Sequence, residues 1–198
     1  MNLPNKLTIS RFLLAGLFLW AMFARWSFND TLALLLFFVA SFTDFLDGRI
    51  ARKRRAITTF GILMDPVADK ILICTAFIAL AGRARIHHGS PVVVEAWMAV
   101  IVVARELVVT GLRLLAASKN VVLAAEGYGK HKTTAQVIAV IALLVMEAQG
   151  EWAPWIQALF SPWIATFAFF ALWLALALTV VSGFLYMWHN RQLYLHDV

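Results

Sequence analysis

Six apolar runs, at about residues 7 to 26, 31 to 50, 62 to 82, 92 to 112, 134 to 149 and 163 to 188, leave this chain of 198 residues few ways to fold. A helix needs roughly 20 apolar residues to cross ~30 Å of hydrocarbon. Most of the runs reach that length, and the fifth needs help from its flanks. In lipid every backbone N–H and C=O must be satisfied within the protein, which helices do for themselves. The expectation is an all-α integral membrane protein: six transmembrane helices in a single bundle, forming one domain over residues 1–198. A chain that is 62% hydrophobic is too apolar for a soluble protein with one anchor. The first run lacks a small-residue cleavage site and five further runs follow it, so it reads as a retained helix. Cys74 is the single cysteine, which excludes an intrachain disulfide.

Placement of the 17 Lys and Arg residues orients the bundle. Twelve fall at the N-terminus (Lys6, Arg11), in the second connection (Arg49, Arg52, Lys53, Arg54, Arg55), in the fourth (Arg113, Lys119, Lys130, Lys132) and at the C-terminus (Arg191). Three (Arg25, Arg83, Arg85) fall on the other side, and Lys70 and Arg105 lie within apolar runs. Basic residues stay on the cytoplasmic side, so both termini are expected there. The net charge of +6 suits anionic lipid head groups, and no segment reads as a nucleic-acid-binding module. On the opposite side, Arg83, Arg85, His87, His88 and Gly89 read as a short exposed turn. Glu147 and Glu151 lie on that side too and carry no chemistry in this reading. Trp26, Trp97, Trp152, Trp155 and Trp163 cluster at the same interface, as an aromatic belt does.

The stretch from Asp44 to Asp69 breaks the apolar pattern. It reads D-F-L-D-G-R-I-A-R, eight residues, then G-I-L-M-D-P-V-A-D. An Asp at a helix centre costs about 2.5 to 3.5 kcal/mol on insertion scales, so four of them need compensation. Asp44 and Asp47 lie about 60° apart on one helix face, and Asp65 and Asp69 about 40° apart on another. Two such faces turned together make an oxygen-only cage, the ligand set of hard divalent cations such as Mg²⁺ or Mn²⁺. Gly48 and Gly61 remove side chains beside the two Asp pairs, Ala51 continues the small surface, and Arg52 offers a fork suited to phosphate. Pro66 marks either a first turn or a kink of the third helix.

The pattern D-x2-D-G-x2-A-R-x8-G-x3-D-x3-D, met at Asp44, Asp47, Gly48, Ala51, Arg52, Gly61, Asp65 and Asp69, resembles the signature of the CDP-alcohol phosphotransferase family with no departure at any fixed position. The resemblance implies a six-helix enzyme of the bacterial cytoplasmic (inner) membrane. Such an enzyme moves a phosphatidyl or similar group from a CDP-linked donor to an alcohol, with the active site facing the cytoplasm. It also implies divalent metal at the Asp cluster, two ions of Mg²⁺ or Mn²⁺, and a homodimer among membrane lipids. The N-terminal P-N-x-L-T-x-x-R, at Pro4, Asn5, Leu7, Thr8 and Arg11, is similar to the start of many relatives. Asn5 and Thr8 would then line the nucleotide entrance with Asp44, Asp47, Gly48, Ala51, Arg52 and Gly61; read locally, either of the two caps the first helix.

Further along come A-R-E-L-V-V-T-G-L-R, with Arg105, Glu106 and Arg113, and E-G-Y-G-K-H-K-T-T-A-Q, with Lys130 and Lys132. An intramembrane Arg marks a functional site or a structural pair, here with Glu106 or an Asp. These elements resemble one branch of the family, the phosphatidylglycerophosphate synthases. The acceptor of that branch is glycerol 3-phosphate and its donor CDP-diacylglycerol. Arg105, Arg113 and Lys130 are then the expected acceptor-phosphate pocket, with Arg105 and Arg113 about 80° apart and ~12 Å along one helix. The last helix reads as generic. The expected mechanism is a single in-line displacement: Asp44, Asp47 and Asp65 hold metal against the donor diphosphate, and Asp69 takes the acceptor's proton, with metal contact as a further role. The same motif also suits another acceptor, such as inositol phosphate, phosphatidylglycerol or serine. A divalent-cation transporter would likewise place carboxylates in the membrane. It would need polar groups through both leaflets, however, and the outer halves of these runs carry almost none.

Overall fold

The computed structural model describes residues 3–50, 59–84, 92–119 and 128–191, with the side chains of 3–8, 44–50, 59–69, 84 and 128–130 outside that description. Six long helices, α1 (Leu3–Phe23), α2 (Asn29–Ile50), α3 (Thr59–Ala84), α4 (Ala96–Ser118), α5 (Tyr128–Ala148) and α7 (Ile164–His189), run 21 to 26 residues each. A short α6 (Pro154–Phe160) follows a 3-10 turn at Gln149–Glu151. The described residues form no strand. Two segments, His131–Glu151 and Ile164–His189, are long and apolar enough to cross a membrane, and shorter apolar stretches lie at Ile9–Phe23 and Asn29–Thr43.

Each long helix covers one of the six apolar runs, but the boundaries move. The fifth run starts at residue 134 in the sequence pattern, whereas α5 starts at Tyr128. Its first turns are polar because Lys132 and Gln136 find buried partners on neighbouring helices, described below. α1 starts at Leu3, so Asn5 and Thr8 lie inside it and neither is its N-cap. Pro66 lies inside α3, seven residues after Thr59, and does not start the helix.

α1 packs against α2 and α3, α2 against α5, α3 against α4, and α7 against both α4 and α5. The core is made of large apolar side chains such as Phe18, Phe37, Phe77, Leu143 and Leu172, with the Phe18 and Phe37 rings 5.6 Å apart. α5 and α7 meet through alanines, Ala135 and Ala139 against Ala171 and Ala175. Small residues let helix backbones approach closely where lipid gives no hydrophobic drive to association. The outer surface is as apolar as the core: Leu13, Trp20, Val100, Leu107, Phe170 and Phe184 are all more than half exposed. Such a surface is a liability in water and matches lipid tails.

One end of the bundle is tied by a buried charge network. Arg83, in the last turn of α3, pairs with Asp30 at the start of α2 and lies 3.0 Å from Glu147 Oε2 near the end of α5. Arg83 is buried, so the expectation of an exposed turn is corrected at this residue; Arg85, His87, His88 and Gly89 lie outside the described residues. Two acidic partners from other helices compensate the cost of burying the guanidinium. Glu151 accepts hydrogen bonds from the Asp30 and Thr31 amides at 2.9 and 2.8 Å and from Thr31 Oγ1 at 2.6 Å. A carboxylate there satisfies free N–H groups and complements the positive end of the α2 dipole.

Candidate active site

The α2–α3–α5 network fixes which helix ends lie together. The start of α2, the end of α3 and the end of α5 share one end of the bundle. The end of α2, with Asp44, Asp47 and Gly48, and the beginning of α3, with Gly61, Asp65 and Asp69, therefore share the other, together with the start of α5. Among the described residues no three His, Cys, Asp or Glu side chains stand close enough to hold a metal ion. The side chains of the four motif aspartates lie outside the described residues, as do those of Asn5, Thr8 and Lys130; Ala51 and Arg52 lie outside them entirely.

At the aspartate end of the bundle, a polar seam runs between α4, α5 and α7. Glu106, buried on α4, pairs with the equally buried Lys132 of α5 and lies 3.2 Å from Arg105 Nη1. Arg105 Nη2 donates to Ser182 Oγ of α7 at 3.3 Å. Its Nε is buried with no hydrogen-bond partner among the described residues. One α-turn deeper, Gln136 Nε2 donates to Thr179 Oγ1 at 2.9 Å, and Thr179 Oγ1 donates to the Ala175 carbonyl at 2.6 Å. Towards the end of α4, Arg113 Nε donates to Tyr186 Oη at 3.4 Å, and its guanidinium lies 5.7 Å from the centre of that ring. Among the described residues, Arg105, Arg113 and Lys132 set three cations against the carboxylate of Glu106. Such an arrangement attracts an anion; its Glu106–Lys132 pair is buried, Arg105 is partly buried and Arg113 is exposed.

Of the three residues expected at the acceptor phosphate, Arg105 and Arg113 thus lie in one seam, and Lys130 is in the first turn of α5. The Arg105–Glu106 pair foreseen as the structural alternative is present, and Lys132 shares that carboxylate. In the sequence Lys132 reads as a cytoplasmic charge and as part of the G-K-x-K-T element, with no partner assigned to it. The reading of the last helix as generic is corrected: α7 supplies Thr179, Ser182, Gly183 and Tyr186 to the seam. The signal was present in the sequence, because positions 179, 182, 183 and 186 follow the i, i+3, i+4, i+7 spacing of one helix face. They are the polar and small residues of an otherwise apolar segment.

Fold and site together define a protein of membrane character, all-helical in its described elements and apolar outside, with charged residues gathered between helices at both ends. The family model for CDP-alcohol phosphatidyltransferase matches residues 1–189, and the chain belongs to that family. It is 37% identical to the CDP-diacylglycerol–glycerol-3-phosphate 3-phosphatidyltransferase of Bacillus subtilis, over 96% of each chain. Proteins of the same name from Rickettsia felis (33% identical, 93% of each chain) and Haemophilus influenzae (34% identical, 72% of this chain and 75% of the relative) are also similar.

Proposed function

We propose that this chain transfers the phosphatidyl group of CDP-diacylglycerol to glycerol 3-phosphate, giving phosphatidylglycerophosphate and CMP. The observation that carries this reading is the meeting of two features at one end of the bundle. The helix ends bearing Asp44, Asp47, Gly48, Gly61, Asp65 and Asp69 lie there, and so does a cation-rich seam containing Arg105 and Arg113. Kinship with relatives named for this reaction supports it.

In this mechanism the acceptor hydroxyl oxygen attacks the phosphatidyl phosphorus in line with the leaving group. A new P–O bond forms, the bond to the bridging oxygen of CMP breaks, and CMP departs with the electron pair. Asp69 takes the hydroxyl proton; a carboxylate is a weak base at neutral pH and acts late, as the hydroxyl becomes acidic. Asp44, Asp47, Asp65 and Asp69 form an all-oxygen donor set that fits Mg²⁺ or Mn²⁺ and would hold it. Such an ion neutralises diphosphate charge and stabilises the departing phosphate oxygen. Asn5, Thr8, Gly48, Ala51, Arg52 and Gly61 line the donor side. Arg105, Arg113 and Lys130 bind the acceptor phosphate, a dianion that four nearby carboxylates would otherwise repel; each charge-assisted bond contributes roughly 1.5 to 3 kcal/mol. The buried Nε of Arg105, without a hydrogen-bond partner among the described residues, is a donor that an anion would satisfy.

The six long helices span the bacterial inner membrane in this reading, with both termini and the aspartate end in the cytoplasm, and two copies form a homodimer. Purified protein incubated with CDP-diacylglycerol, Mg²⁺ and a panel of glycerol 3-phosphate, inositol phosphate, phosphatidylglycerol and serine is expected to release CMP with glycerol 3-phosphate alone. Release with another acceptor overturns the acceptor assignment, and release with none overturns the reaction.

A further inference from the structure

Gly183 is the one glycine of α7, a 26-residue helix, and glycine in a helix interior is disfavoured relative to alanine. A Cβ built there would stand 2.9 Å from Arg105 Cγ and 3.8 Å from its Nε. Carbon atoms do not pack below about 3.5 Å without repulsion. At Gly16, Gly111 and Gly150, by contrast, a Cβ would meet nothing within 4 Å. The atom in the way at Gly183 belongs to the arginine stem and not to the α4 backbone, so the space is occupied by one functional side chain. Moving Cγ requires turning the side chain near its root, which carries the guanidinium at its tip away from Glu106 and Ser182. The adjacent Ser182 accepts from the tip at 3.3 Å. Successive residues of α7 therefore make room for the stem of Arg105 and hold its head.

We infer that Gly183 and Ser182 form a positioning seat on α7 that fixes where the Arg105 guanidinium meets the acceptor phosphate. Neither residue touches substrate in this arrangement; both act through Arg105. The inference rests on the acceptor role given to Arg105 above, and the two can fail separately.

The test is steady-state kinetics on the full-length enzyme in lipid nanodiscs, varying each substrate in turn, for Gly183→Ala, Ser182→Ala, Arg105→Ala and the doubles with Arg105→Ala. Gly183→Ala is expected to raise the KM for glycerol 3-phosphate about tenfold, with the KM for CDP-diacylglycerol within about twofold of the parent. Ser182→Ala, which adds no volume, is expected to raise the acceptor KM about threefold. Both effects should vanish in the Arg105→Ala background, because the residue they act through is gone. Equal effects with and without Arg105 would mean that the seat serves helix packing alone and would overturn the inference. If Gly183→Ala does not accumulate as folded protein, Ser182→Ala decides: an unchanged acceptor KM overturns the inference. Arg105→Ala alone with an unchanged acceptor KM overturns the acceptor role of Arg105, and the seat with it.

Discussion

Replacing Arg83 by Met tests whether the charge network at the far end of the bundle holds the helices together. The Arg83 side chain is 5% exposed, and its partners Asp30 and Glu147 are 15% and 18% exposed. Removing the cation leaves two mostly buried carboxylates facing one another. Breaking a buried pair costs about 3 to 5 kcal/mol; the residual solvent contact of both acids places this case near the lower end. A loss of ~3 kcal/mol shifts the folded-to-unfolded ratio by roughly a hundredfold. The assay is equilibrium unfolding in mixed micelles, followed by fluorescence of the eight tryptophans, together with substrate KM values for the folded fraction. Those KM values should not move, because Arg83 lies 18 residues along α3 from Asp65, ~27 Å away at 1.5 Å per residue. Adding Asp30→Asn and Glu147→Gln to Arg83→Met should recover much of the loss, since the penalty comes from unpaired charge. An Arg83→Met protein as stable as the parent, or a triple variant less stable than the single one, would refute the argument.

Asp44→Asn, Asp47→Asn and Asp65→Asn are each expected to lower turnover about a thousandfold or more while the protein still inserts, since each removes one donor from the proposed all-oxygen set; full turnover in any one would remove that residue from the proposal. Asp69→Asn should keep donor and Mn²⁺ binding while turnover falls roughly a hundred- to ten-thousandfold, and loss of Mn²⁺ binding would make it chiefly a ligand. In a Cys74→Ser background, cysteines introduced by Arg54→Cys and Lys119→Cys should react with an impermeant maleimide only from the cytoplasmic side, and His88→Cys only from outside. Labelling at position 54 in intact cells would reverse the proposed orientation.

The six helices were legible in the sequence because lipid imposes a one-dimensional rule: an apolar run of sufficient length must be helical wherever it crosses. The family was legible because eight residues stand at set spacing, six of them on the ends of α2 and α3, where local periodicity alone brings Asp44 beside Asp47 and Asp65 beside Asp69. What the sequence left open depends on pairings between residues far apart in the chain. Arg83 looked like a turn residue until Asp30 and Glu147, 53 and 64 positions away, were found around it. Lys132 looked like a topology charge, yet it is buried against Glu106, and α5 begins six residues ahead of the fifth apolar run, where α4 satisfies Lys132 and α7 satisfies Gln136 one turn on. Ser182, Gly183 and Tyr186 gain meaning only from the arginines of α4 packed against them. A buried polar group is stable only where a second helix meets its charge or hydrogen bond. Which helix does so is decided by the three-dimensional packing of the bundle, because helical periodicity records only which face a residue occupies and not what lies opposite.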